Sequence, residues 1–110
     1  MVDETLAKIE ARIRASDSLG DERKGELLAL LGQLRREVGA LPPAHAEQAR
    51  SITGFTDVSA HEATRERRNP RLLRHAIEGL RASVTEFEGS HPNLVRIVNS
   101  ICNTLSGLGI

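Results

Sequence analysis

The chain is 110 residues long, carries 15 Lys and Arg against 15 Asp and Glu, and holds two Phe but no Tyr or Trp. One domain of this length buries a modest core, here built from Leu, Ile, Val and Ala. A neutral chain has no overall attraction for nucleic acid or an anionic membrane, it lacks the aromatic platform on which single strands stack, and no apolar run approaches the ~20 residues that span a bilayer.

Val2, Leu6, Ile9 and Ile13 step by 4, 3 and 4, the repeat of a helix that buries one face, and predict a helix over 3–15. Residues 16–20 stop it, and Ser18 with Asp21 forms a modest capping box for the next helix. Leu27, Leu31, Leu34, Val38 and Leu41, widened by Leu28 and Leu30, predict a helix over 21–40 that ends at Pro42-Pro43. Residues 44–69 are polar and have no strong stripe. Ala46, Ala49 and Ile52 suit a short helix, Gly54 reads as its break, and a second short helix fits near 59–68, so 42–69 is expected to be a weakly helical connector. Asn69-Pro70 is a strong helix start. Leu73, Ile77, Leu80, Val84 and Phe87 then predict a helix over 71–88, stopped by Gly89. Ser90-His91-Pro92 opens a last helix over 93–107, with Leu94, Val98, Ile101, Leu105 and Leu108 as its stripe and Val95, Ile97 and Cys102 broadening it.

The predicted fold class is all-α: a single domain over 1–110, with four helical seams arranged as two hairpins, 1–41 and 70–110, around the connector. The 3-4 stepping favours crossing angles of roughly 20°. The second and last helices have the widest apolar faces and are expected to be the most buried pair. Leu31, Leu34, Ile77, Leu80, Val84, Ile101 and Leu105 are the predicted core.

Phe87-Glu88-Gly89-Ser90-His91-Pro92-Asn93-Leu94, with the closing Thr104-Leu105-Ser106-Gly107-Leu108-Gly109-Ile110, resembles a family of short bacterial proteins catalogued as a domain of unknown function, number 4404. Its pattern is a helical hairpin with a Leu-rich second helix, a variable middle, then Phe-Glu-x-x-His-Pro and a terminal Leu-x-x-hydrophobic-Gly-Ile. Leu27-Leu28 and Leu30-Leu31 after an acidic turn are similar to its N-terminal part. The resemblance implies a helical fold and brings no activity with it.

Motifs for chemistry are sparse. No two of His45, His61, His75 and His91 stand at i, i+3 or i+4, and Arg65 occupies the place of the second His in a His-Glu-x-x-His helix. A bundle metal site would need Glu-x-x-His on facing helices, which is not present. Cys102, the single thiol, lies on the most apolar helix and reads as a small hydrophobe rather than a nucleophile. No Gly-x-Ser-x-Gly elbow or phosphate-binding Gly-rich loop occurs. No metal, cofactor, catalytic residue or small-molecule substrate is therefore expected. The acidic start at Met-Val-Asp-Glu lacks a signal-peptide pattern, and with one Cys the expected compartment is the cytoplasm.

Three features stand out as interaction candidates. His91-Pro92 reads either as a helix start, with His91 pairing Glu88 across the turn, or as an exposed recognition corner. Arg65, Arg67, Arg68, Arg71 and Arg74 cluster around the start of the helix at 71–88, which ends in Glu86 and Glu88; both ends oppose the helix dipole. They are either a solvated face or ends that answer to something outside: an anion or nucleic acid at the arginines, or an antiparallel copy of the helix, its two-fold axis near Glu78–Arg81, meeting both ends. Gly25, Gly32 and Gly39 stand seven apart on the outward side of the second helix. They are either tolerated drift or a smooth strip against residues 44–69 or a second subunit.

The leading expectation is a non-enzymatic module for self-association or docking on a helical protein partner, at least a dimer. The alternative is anion or nucleic-acid binding through the arginine cluster, without tight sequence specificity. A pocket between helices would revive an enzyme or carrier.

Overall fold

The structure, a computed structural model, describes residues 2–108. Five α-helices and two short 3-10 turns follow one another: α1 (Val2–Ala15), α2 (Asp21–Gly39), a turn at Pro43–His45, α3 (Ala46–Thr64), α4 (Pro70–Ala82), a turn at Thr85–Phe87, and α5 (Pro92–Ser106), with no strand among the described residues. The two outer hairpins form as the stripes predict. α1 packs on α2 and α4 on α5, while α2 packs against α5 and α3 fills the place between α1 and α4, also touching α5. The helices thus close a ring in the order α1, α2, α5, α4, α3.

The expected core residues Leu31, Leu34, Ile77, Leu80, Val84, Ile101 and Leu105 are all buried, joined by Leu6, Ile9, Ile13, Leu27, Leu73, Phe87, Leu94 and Val98. Leu41 and Leu108, at the ends of their stripes, are only partly buried. Polar links bridge neighbouring helices at the rim. Arg35 on α2 donates to Asp3 and Glu10 on α1 at 3.4 and 3.1 Å, and Arg81 on α4 donates to Asn99 and Asn103 on α5 at 3.3 and 2.8 Å.

The main correction is α3. The expected weak connector contains a 19-residue helix, as long as α2. Gly54 sits within it rather than breaking it. Its inward face follows the same 3-4 stepping but, apart from Ile52, in small and hydroxylated residues: Ala49, Thr53, Thr56, Ser59, Ala60 and Ala63 are buried with it. The threonines can be buried because their hydroxyls donate to carbonyls one turn back, Thr53 to Ala49 at 2.8 Å and Thr56 to Ile52 at 2.7 Å. That leaves their methyls for packing. The fold is therefore a five-helix bundle.

Helix ends bring two further corrections. α2 starts at Asp21 as expected, but its N-cap is Gly20 with no side-chain cap; Ser18 bonds Ser16 instead, at 2.9 Å. α4 does begin on the expected cap, Asn69 Oδ1 accepting from the backbone N–H groups of Arg71 and Leu72 at 3.1 and 3.2 Å. It stops at Ala82, however, because the backbone tightens into Ser83 and the Thr85–Phe87 turn. Glu86 and Glu88 therefore lie beyond the helix, and the charges at 71–74 and 86–88 are not the two ends of one rod.

Candidate functional site

The arginine cluster divides on the structure. Arg65 turns inward and donates to Glu62 at 2.9 Å. Glu62 is buried in the last turn of α3, where a carboxylate opposes the helix dipole, so this ion pair serves the fold. Arg67, Arg68, Arg71 and Arg74 are exposed, and their guanidinium groups make no hydrogen bond or ion pair among the described residues. Arg36, Arg50 and Arg96 are exposed and unpaired among the described residues in the same way, whereas Arg12, Arg14, Arg23, Arg35 and Arg81 reach partners. Glu86 and Glu88 are likewise exposed and unpaired among the described residues.

A cleft of about 640 Å³ opens between the α1–α2 turn and the α3–α4 connection, with Arg65, Arg68, Asp17 and Glu66 in its lining. Two cations face two carboxylates there, and Arg65 is already engaged with Glu62. The local charge does not single out an anion.

At the α5 start, His91 does not pair with Glu88. Its Nδ1 lies 2.9 Å from the Ser90 hydroxyl, and it is the N-cap residue without a side-chain cap bond. Its ring stands edge-on to Phe87 at 5.2 Å, and His45 stands edge-on to the same ring at 5.3 Å. Edge-to-face rings around a buried Phe stabilise a corner. His45 and His91 are far apart in sequence, so no local pattern announces this contact. The described residues hold no group of three or more metal-ligating side chains.

Cys102 is buried, and burial pushes its thiol up to about 11, with the Arg81 charge acting the other way. Near neutral pH it stays a thiol, which is a poor nucleophile.

The glycines of α2 face open space. A Cβ added at Gly25, Gly32 or Gly39 would meet nothing within 4 Å, so residues 44–69 do not pack on them. Gly25→Ala and Gly32→Ala should each stabilise the protein by about 0.4–1 kcal/mol in urea unfolding, by restricting the unfolded chain at a site where Ala fits. A loss of stability instead would mean that something else presses on this strip.

The surface the stripes do not anticipate runs along the α3–α4 seam. Phe55 and Val58 on α3 and Leu72 on α4 are 41%, 48% and 43% exposed, the exposed large hydrophobics among the described residues. Phe55 lies over Gly79 so closely that a Cβ there would overlap its ring. Leu72, seven residues before Gly79, shares that face of α4. Beside them lies a groove of about 390 Å³, lined on one wall by Gln48 and Ser51 and on the other by Gly79, Ala82 and Ser83, with Glu47 and Glu86 at its end. The signal for this surface was present but faint: Phe55 and Val58 stand in a polar stretch, and Leu72 falls off the Leu73–Ile77–Leu80 stripe.

The described residues form an all-α domain of five helices. A family model described as "Domain of unknown function (DUF4404)" matches residues 27–110. The chain belongs to that family. No curated protein and no solved structure matches it. No helix among the described residues is long and apolar enough to cross a membrane.

Proposed function

We propose that this protein is a non-enzymatic, helical interaction module of the bacterial cytoplasm that binds protein through the α3–α4 face. The observation that carries this reading is that Phe55, Val58 and Leu72, each more than two-fifths exposed, lie on the packed pair α3 and α4, with Phe55 over Gly79 on the α4 face that Leu72 shares. Exposed large apolar side chains gathered on one surface mark interaction sites. An apolar centre with a charged surround is also the usual make-up of a protein interface. The burial of Cys102 fits it as well.

Binding of an anion or nucleic acid at Arg67, Arg68 and Arg71 is the second reading, favoured by the absence of internal partners for these side chains. The balanced lining of the neighbouring cleft ranks it lower.

A photo-activated cross-linking residue at position 58 tests the first reading in cells. Protein adducts should form from position 58 and not from position 29, an exposed site on α2. No protein adduct at position 58 would remove the reading. Recovery of nucleic acid that depends on low salt and on Arg67 and Arg68 would put the second reading first.

A further inference from the structure

We propose that the partner on the α3–α4 face is a second copy of this chain, related by a two-fold axis near Phe55 and Val58 that sets the two α3 helices antiparallel. The inference rests on the interaction-module reading and specifies its partner.

A two-fold interface must be complementary to itself, each feature on one side of the axis meeting its counterpart from the other. The charges at the two ends of this face are arranged in that way. Arg67 and Arg71, with Arg68 at the cleft beside the α1–α2 turn, stand in and just after the α3–α4 connection, where they outnumber the exposed Glu66 at one end of α3. Glu47, in the first turn of α3, and Glu86, beyond the end of α4, stand at the other, where both border the groove. Neither acid has an ion-pair partner among the described residues. Glu47 and Arg65 are about 27 Å apart along the helix at about 1.5 Å per residue. Phe55 lies about 12 Å from the first and Val58 about 10 Å from the second on the same scale, so the apolar pair occupies the middle. A two-fold axis there brings each arginine end over the acidic end of its mate.

Shape follows the same symmetry. Leu72 projects on the arginine side of the axis, about 10 Å from the level of Gly79 and Phe55. The groove between Ser51 and Ala82 lies on the acidic side. Rotation about the axis carries each Leu72 toward the groove of the other copy. Between them, Gly54 lies beside Phe55 and Val58 in a shallow apolar depression, and a Cβ there would meet nothing within 4 Å. The missing side chain leaves room at the axis for the mate's Phe55 or Val58. The arrangement replaces an antiparallel pair of α4 helices, which the end of α4 at Ala82 and the engagement of Arg81 with α5 do not support.

Sedimentation equilibrium of the purified chain over a wide concentration range, with helicity followed by circular dichroism, tests the proposal. The wild type should show a monomer–dimer equilibrium. Val58→Glu with Leu72→Glu should keep native helicity and raise the dissociation constant about 100-fold or more, as loss of central apolar anchors does. Arg67→Glu, Arg68→Glu and Arg71→Glu together should weaken the dimer about tenfold, and adding Glu47→Arg with Glu86→Arg should restore it. A chain that stays monomeric throughout would overturn the proposal. So would a dimer indifferent to the position 58 and 72 changes, or one that the added arginines fail to restore. A monomer that still forms adducts from position 58 with a different protein keeps the interaction reading and removes only the second copy.

Discussion

Leu80→Ala should lower the unfolding free energy by about 2–5 kcal/mol, and Ile101→Ala by a similar amount. Both side chains are essentially without solvent exposure. They sit on α4 and α5, which pack on one another, and α4 also packs on α3 while α5 also packs on α2. Each truncation removes apolar surface from that junction and leaves a cavity that four helices would have to move together to close. Against the roughly 5–15 kcal/mol that holds a domain together, either change alone is a large fraction. Urea unfolding followed by circular dichroism gives the difference. A loss below about 1 kcal/mol at both positions would show that the centre of the bundle lies elsewhere.

The second large effect is expected on α3 and has the opposite sense of volume change. Ala63 and Ala60 are buried, with α1 and α4 on either side of their helix. Ala63→Leu should cost about 1–3 kcal/mol, since a close-packed seam takes extra methylenes only by forcing side chains off their rotamers or helices apart. Thr56→Val is the matched control. It keeps the shape of the residue and removes a hydroxyl whose bond runs to the carbonyl of Ile52 in its own helix. That carbonyl remains in the helix ladder, so a change within about 1 kcal/mol is expected. If Ala63→Leu were tolerated as well as Thr56→Val, α3 would not be wedged between its neighbours, and the small-residue account of its packing would fall.

For the interaction surface, the two sets of variants provide a useful contrast. Leu80 and Ala63 act on folding because they are buried on every side. Val58 and Leu72 are nearly half exposed, so charged substitutions there should leave the fold in place and act on association. A variant set that changed association and stability together at Val58 and Leu72 would point to a structural duty for this face.

The two outer hairpins were legible in the sequence because Leu, Ile and Val recur there at a single period, and large aliphatic residues every three or four positions have no favourable place except a shared interior. Asn69-Pro70 likewise states a helix start locally, through a side-chain acceptor and a fixed backbone angle. α3 was not legible in the same way. Apart from Ile52, and Glu62 near its end, its buried face is Ala, Thr and Ser, residues equally at home in a solvated connector. Only the presence of α1 and α4 on either side makes small size an advantage and turns the threonine methyls into core. The end of α4 at Ala82 was hidden for a related reason. Val84 and Phe87 continue the apolar stepping past the break, since a 3-10 turn can bury residues at nearly the same spacing. The interaction surface needed both corrections. Phe55 and Val58 are isolated apolar residues until α3 is a helix, and Leu72 joins them only when α4 folds back antiparallel and places Gly79 beneath the Phe55 ring. Local periodicity could determine which helices bury a face. Which apolar side chains are left over, and on which surface they meet, depended on how five helices share one interior.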